Sequence, residues 1–213
     1  MDPSSPAVDE SVDVPTAADM RDLGERLAGL LRAGDLVVLS GALGAGKTTL
    51  AQGIGAGLGV RGPVTSPTFV IVRQHPSLRG GPDLVHADAY RLGSRAEVDD
   101  LDLDTDLATA ITVVEWGEGL VEDLAPSFLQ VAISAGPPGT SSPGAGPPGE
   151  GPPGVGSPGA GPPGPGQHGA HQPEAGPAGE RDEVRTVRVL GWGERWRQAA
   201  PAARQALAGP RGS

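Results

Sequence analysis

Cysteine and asparagine are absent from the chain, lysine occurs once, and only six residues are aromatic. Without cysteine there is neither a disulfide nor a thiolate metal site, which suits a reducing compartment and makes the cytoplasm the expected location. Without asparagine the Asn-Lys-x-Asp reader of guanine cannot be present, so a GTPase switch is removed from consideration. No apolar run approaches the roughly 20 residues needed to span a bilayer. The first ten residues are acidic and lack an apolar centre, so they do not read as a signal peptide. Cations are also scarce: 16 Lys and Arg face 26 Asp and Glu, for a formal net charge of −10. Gripping nucleic acid unaided depends on neutralising its phosphates with cations, so any link to RNA is expected to run through a partner.

What is abundant is glycine and proline, and they are unevenly placed. From Gly136 to about Gly179 the chain is mostly Gly, Pro, Ala and Ser, and from Gly144 it keeps a five-residue beat of GAGPP, GEGPP, GVGSP, GAGPP and GPGQH. Glycine falls at alternating intervals of two and three, so this is not a collagen repeat. With almost no large apolar side chains, the segment cannot offset the entropy of ordering, and it is expected to be a disordered spacer. The expected organisation is a flexible N-terminus over 1–11, a core over 12–134, the insertion over 135–182, and a strand and helix over 183–213 that complete the core.

The single lysine, Lys47, lies in GALGAGKT, Gly41 to Thr48, which satisfies the P-loop pattern GxxxxGK followed by Ser or Thr. Every other basic residue is Arg or His, so one compact ammonium stands in a background of guanidinium forks. A point-like cation can curl beside a loop wrapped on phosphate, where a planar fork is too wide. Before the loop, Asp35 to Ser40 reads DLVVLS, an apolar run rich in β-branched residues; after it, Thr48 to Leu58 reads as a helix. Strand, glycine loop and helix therefore come in the order that turns backbone N–H groups and a helix N-terminus toward an anion. The expected ligand is a nucleoside triphosphate with Mg²⁺, held by Gly41, Gly44, Ala45, Gly46, Lys47, Thr48 and Thr49. Lys47 would reach the β- and γ-phosphates and the Thr48 hydroxyl would ligate the metal.

Elsewhere the pattern predicts a first strand at Val12–Val14 and a helix from Ala17 to Leu31 capped by Thr16. Strands follow from about Phe69 to Gln74, over Leu84–Tyr90 and over Ala110–Trp116, with a short acidic helix between Arg95 and Leu107. Ser127–Ser134 and Val184–Leu190 both alternate and are expected to pair as a hairpin whose loop has swollen to roughly fifty residues, an insertion whose closure cost grows only logarithmically. A last helix, Glu194 to Leu207, carries Trp196 and is expected to be interrupted or kinked at Pro201. The fold class is α/β: a P-loop NTPase-type three-layer sandwich with a mainly parallel central sheet and a C-terminal β-hairpin, interrupted by the Gly/Pro-rich insertion.

Two carboxylates stand at strand ends. Asp88, closing LVHAD, is the first choice for the Walker B acid, which holds Mg²⁺ through water or orients the attacking water; Glu115, closing ITVVE, is the second. Parallel strands would carry both to the carboxyl edge of the sheet, where open α/β folds bind ligands. An ordinary solvated acid is the alternative for each. Ser66, Pro67 and Thr68 form a loop whose hydroxyls could approach a γ-phosphate, as a switch does, or could be a simple turn. Trp116 could cover the site or a partner surface, whereas Phe69 and Tyr90 divide evenly between core and site. His86 reads as a buried, hydrogen-bonded structural histidine ahead of a catalytic one, and Arg91 as a surface ion-pair residue or a stabiliser of transferred phosphate charge.

Taken together, GALGAGKTT at Gly41 to Thr49, SPTF at Ser66 to Phe69, HADAYR at His86 to Arg91 and VEW at Val114 to Trp116 resemble the bacterial TsaE (YjeE) family, the ATPase of tRNA threonylcarbamoyladenosine biosynthesis. The resemblance covers roughly Val12 to Ser134. It implies slow ATP hydrolysis alone and work alongside TsaB and TsaD, which place threonylcarbamoyl on the adenosine beside the anticodon of tRNAs reading codons that begin with A. The chain would then not be the transferase, and would meet tRNA only through the complex. By the same match, Thr48 and Glu115 would bind Mg²⁺, Asp88 would be the Walker B acid, and Ser66 to Thr68 the switch. Gly117 after the Glu-Trp pair and the long insertion depart from the family pattern. A small-molecule P-loop kinase and a nucleotide-gated binding module are the competing readings; an Arg-rich kinase lid is not evident.

Overall fold

The computed structural model describes residues 5–66, 72–90, 97, 108–135 and 184–208. These contain seven strands, β1 (Val8–Val14), β2 (Leu36–Gly41), β3 (Val72–His75), β4 (Leu84–Asp88), β5 (Ile111–Glu115), β6 (Phe128–Ala135) and β7 (Arg185–Trp192). Three helices accompany them: α1 (Ala17–Ala28), α2 (Lys47–Leu58) and α3 (Glu194–Leu207). The strands form one sheet in the order β1-β7-β6-β2-β5-β4-β3. Its centre, β6-β2-β5-β4, is parallel throughout. Both margins are antiparallel: β3 on β4 at one side, and β7 with β1 at the other. The hairpin expected across the insertion is present, with Phe128 opposite Trp192 and Ala135 opposite Arg185.

Alternation along the central strands creates two cores. On one face Val37 and Leu39 of β2, Ile111 and Val113 of β5, and Leu129, Val131 and Ile133 of β6 pack with Met20, Leu23 and Leu27 of α1, Leu50 and Ile54 of α2, and Trp196 of α3. On the other face Leu36, Val38, Val85, Ala87 and Val114 are covered by Val121 and Leu124, around a 3-10 turn at Glu122–Leu124. The layers are thus a helical layer, the sheet, and a thinner third layer. Each fully buried aliphatic side chain in them contributes about 1.5–3 kcal/mol.

Local chemistry fixes the helix ends. Thr16 and Asp19 form a reciprocal capping box at the start of α1: Asp19 N donates to Thr16 Oγ1 at 3.1 Å and Thr16 N to Asp19 Oδ2 at 3.0 Å. The helix stops at Ala28, short of the predicted Leu31, where Leu30 N and Leu31 N bond three residues back, to Leu27 O at 2.9 Å and Ala28 O at 3.2 Å; Leu30 and Leu31 still pack on the core, which prolonged the apolar period. Gly24 brings α1 against α2, since a Cβ there would meet Leu50 O at 2.5 Å.

Two further expectations are corrected. β1 begins at Val8, so residues 8–11, assigned to a flexible N-terminus, are a full edge strand on β7; Asp9 is paired with Arg188 at 2.9 Å, which lets acidic residues alternate in a strand. Helix α3 runs through Pro201 without interruption, the proline lying on its exposed side. Water can there satisfy the carbonyl that proline leaves unbonded. β3 is described only from Val72. Phe69, the helix expected over Arg95–Leu107 apart from Glu97, and the insertion over 136–183 lie outside the described residues. Among the described residues no helix is long and apolar enough to cross a membrane.

Candidate nucleotide site

Of three adjacent parallel strands, β5 and β4 end level at the register partners Glu115 and Asp88, and β2, whose Leu39 is also a partner of Glu115, runs two residues further to Gly41. Gly41, Glu115 and Asp88 therefore share the carboxyl edge of the sheet, and the alternation places all three on the side occupied by α2. The glycine loop joins β2 to α2 directly above this edge. Its backbone takes positive φ at Gly41 (141°), Gly44 (76°) and Gly46 (111°), conformations that side chains with a Cβ rarely adopt. Ala45 is buried beneath the loop and Gly44 is exposed at its tip, with nothing within 4 Å of where a Cβ would stand.

Helix α2 begins at Lys47 behind Gly46, with no side-chain cap on its first turn. Its leading N–H groups, including those of Thr48 and Thr49, are free of the side-chain acceptor that most helices place there, which suits an anion. Lys47 is 5 % exposed. Its Nζ donates to Gly41 O at 2.8 Å and Ala42 O at 3.0 Å, and lies 3.6 Å from the centroid of the Trp116 ring. Burial lowers the Lys47 pKa from the ordinary lysine value, while the Glu115 and Asp88 carboxylates pull it back up. Among the described residues this buried cation meets carbonyls, a ring and more distant carboxylates, an environment that suits the approach of an anion.

Glu115 is 3 % exposed and accepts from the Thr48 hydroxyl, with Thr48 Oγ1 at 2.9 Å from Oε1 and 3.1 Å from Oε2. His86, fully buried two residues before Asp88, places Nε2 3.0 Å from Glu115 Oε1. Asp88 stands farther out, and its Oδ1 accepts from Tyr90 N at 3.0 Å. Among the described residues no group of three or more His, Asp or Glu forms a self-contained metal cage. One hydroxyl and one carboxylate suit Mg²⁺, which commonly takes few protein ligands and completes its shell with phosphate oxygens and water.

Trp116 continues the ladder, donating N–H to Leu39 O at 2.9 Å, and then turns at φ 61°, the one non-glycine positive φ among the described residues. That turn sets its ring over Lys47 and 5.1 Å from the half-exposed Tyr90 ring. Of the residues singled out by sequence, Gly41, Gly44, Ala45, Gly46, Lys47, Thr48, Thr49, Glu115, Trp116 and Asp88 gather at this edge. The loop before β3 is tied by Arg73, whose Nη1 donates to Thr65 Oγ1 at 2.8 Å. Ser66 follows at the end of the described stretch, while Pro67, Thr68 and Arg91 lie outside the described residues. Sequence reasoning missed the contact of His86 with Glu115; its signal was the HAD spacing, which puts His86 and Asp88 on one strand face. Of the two acids, Glu115 is the one that touches the Thr48 hydroxyl, the pairing the resemblance implies, while Asp88 makes its contact with Tyr90 N.

Residues 14–138, more than half of the chain, match the family described as "Threonylcarbamoyl adenosine biosynthesis protein TsaE". The chain is 67% identical over 115 residues to a protein of Streptomyces coelicolor named "tRNA threonylcarbamoyladenosine biosynthesis protein TsaE", covering 54% of this chain and 78% of that one. A protein of the same name from Mycobacterium tuberculosis is 53% identical over 127 residues, covering 56% and 76% respectively. Among solved structures, the crystal structure of Bacillus subtilis YdiB matches with a TM-score of 0.57 over 94% of both chains; at 19% identity this is a likeness of fold. Lys47, Thr48, Glu115 and Trp116 all fall within the matched span, and the chain belongs to the TsaE family of tRNA threonylcarbamoyladenosine biosynthesis proteins.

Proposed function

We propose that the protein binds ATP with Mg²⁺ at the β2–α2 loop and hydrolyses it, partner-dependently, in support of the TsaB–TsaD complex that threonylcarbamoylates the adenosine beside the anticodon. In this reading it is not the transferase, acts in the cytoplasm, and reaches tRNA only through the complex. The observation that carries the reading is the Thr48 hydroxyl, at the uncapped start of α2 and one residue from buried Lys47, donating to the Glu115 carboxylate on the neighbouring strand. In P-loop NTPases a Ser or Thr hydroxyl and a strand-end acid hold the metal together.

Each residue then has a defined task. The N–H groups of Gly44 to Thr49 surround the phosphates, and Lys47 exchanges its contacts with Gly41 O and Ala42 O for phosphate oxygens. Thr48 turns an oxygen lone pair to the metal while keeping its hydrogen on Glu115. Mg²⁺ held there by Thr48 and Glu115 would supply neutralisation of phosphate charge. Asp88, whose Oδ1 is fixed by Tyr90 N, orients the attacking water with its second oxygen, and Trp116 shields the reacting end from bulk solvent. Ser66 and Thr68 remain the proposed γ-phosphate-sensing loop.

The test is ATP hydrolysis by the purified protein with Mg²⁺, alone and with TsaB and TsaD, measured beside tRNA threonylcarbamoylation. Stimulation of hydrolysis by the partners together with sustained modification is the expected result. Nucleotide binding with no partner effect on turnover would set the reading aside in favour of a kinase or gated binding module.

A further inference from the structure

The contact between His86 and Glu115 is not used by the mechanism above. Oε1 of Glu115 lies 3.0 Å from His86 Nε2 and 2.9 Å from Thr48 Oγ1, whereas Oε2 has only Thr48 Oγ1, at 3.1 Å, among the described residues. A carboxylate oxygen accepts, so Nε2 carries the hydrogen; Nδ1, buried with no partner among the described residues, is then an unused acceptor, and Glu115 is the ring's one polar contact among them. The ring is fully buried on β4, one strand beyond β5, and cannot swing away without emptying part of the core. Glu115 has three rotatable bonds and would otherwise sample several rotamers, at an entropic cost for each one fixed. His86 commits one oxygen of that carboxylate and thereby aims the other.

Resting on the Mg²⁺–nucleotide reading of this site, we propose that His86 is a positioning residue: it locks Glu115 by hydrogen-bonding Oε1, which presents Oε2 to the metal or to a metal-bound water beside Thr48. Its effect is on the metal requirement of nucleotide binding and not on the nucleotide contacts themselves, because the polar contact of His86 is with Glu115, whereas Lys47 Nζ meets Gly41 O, Ala42 O and the Trp116 ring. A histidine that merely fills the core would change stability and leave the metal requirement alone.

The experiment measures binding of a fluorescent ADP analogue to the full chain as Mg²⁺ is titrated, with a metal-free arm in chelator and melting temperatures recorded in parallel. His86→Leu is expected to raise the half-saturating Mg²⁺ concentration at least fivefold while metal-free affinity stays within twofold. His86→Gln, whose amide nitrogen reaches the Nε2 position, is expected to restore the wild-type Mg²⁺ requirement to within twofold. In a Glu115→Gln background, His86→Leu is expected to add nothing. Should His86→Leu fail to fold, His86→Asn supplies the same test, since its amide reaches only the Nδ1 position. A folded His86→Leu or His86→Asn protein with an unchanged Mg²⁺ requirement, or a His86→Gln protein as impaired as His86→Leu, overturns the inference. A wild-type protein that does not bind nucleotide at all would instead strike the proposed function, and this inference with it.

Discussion

The Lys47 ammonium lies over the face of Trp116, with Nζ 3.6 Å from the ring centroid and at 2.8 and 3.0 Å from two carbonyls, Gly41 O and Ala42 O. A contact of this kind is worth about 0.5–2 kcal/mol. Ring and carbonyls together meet one compact ammonium group. Lys47→Ala is expected to weaken nucleotide binding at least a hundredfold, about 2.8 kcal/mol. Lys47→Arg should not rescue it, because a planar guanidinium fork is wider than the compact ammonium that ring and carbonyls meet. Calorimetric titration of both variants checks this, and near-normal affinity in the Arg variant would show that shape is not what selects lysine.

Glu115 and Asp88 are register partners on neighbouring strands yet differ in depth and contacts, so their variants should separate. Glu115→Gln is expected to cut turnover at least tenfold, about 1.4 kcal/mol of barrier. It should also raise the Mg²⁺ requirement, since it weakens the partner of Thr48. Asp88→Asn should lower turnover similarly while leaving metal-dependent binding intact. Single-turnover assays beside Mg²⁺ titrations distinguish the two; matching metal profiles for both variants would contradict the assignment of separate tasks.

How much of this was legible in the sequence differs by residue. Gly41 to Thr48 could be read because the glycine spacing, the preceding β-branched run and the lone lysine are local features. The different surroundings of Asp88 and Glu115 could not be read from their residues alone, because the Thr48–Glu115 contact depends on β5 lying next to β2 in the sheet, which no local pattern encodes. His86 was assigned a structural place for the same reason: its partner is 29 positions away. At Val8 the acidic alternation hid a strand whose charges are answered across the sheet edge by Arg188, and at Pro201 helix geometry absorbed a residue that reads as a breaker. Alternation in the two hairpin strands survived an insertion between them because side-chain period is a property of each strand alone.

Arg195 joins the last helix to the strand that leads into the site. Its Nε and Nη2 bond Asp35 Oδ1 and Oδ2 at 3.1 and 3.0 Å, and Nη2 also donates to Leu30 O at 2.6 Å. Asp35 is 3 % exposed, so removing the cation strands a buried carboxylate. Arg195→Leu is expected to cost about 3–5 kcal/mol. Arg195→Lys should recover part of this but not the two-pronged geometry. Urea unfolding of the pair measures it; a loss under about 1 kcal/mol for the Leu variant would mean the bridge is no stronger than a surface pair.

His75, at the end of β3, is buried, and that burial lowers its pKa from the ordinary histidine value of 6.5; the hydrogen bond from Nδ1 to Arg61 O, 3.3 Å, opposes the shift. A folded-state pKa below the unfolded one means that the unfolded chain binds more protons between the two values. Stability therefore rises with pH through that window and is lost as pH falls below 6.5. His75→Gln is expected to flatten this acid limb without changing stability above pH 7. Denaturation midpoints from pH 5 to 8 decide it, and an identical slope in both proteins would assign the acid loss to other groups.

Ala135 and Arg185 face one another as register partners at the end of the β6–β7 hairpin, so the chain leaves and re-enters the sheet at the same place. The residues between them can be replaced by a four-residue turn without moving either strand. Shortening the loop from roughly fifty residues to about four lowers the closure entropy by about 2 kcal/mol, on the logarithmic dependence for a flexible loop. The deletion variant is accordingly expected to keep nucleotide affinity within twofold and to melt at the same temperature or a few degrees higher. Differential scanning calorimetry together with nucleotide titration reads both quantities. A substantial drop in melting temperature would show that the excised residues pack on the sheet and contribute to its stability, and a selective loss of nucleotide affinity would show that they reach the site.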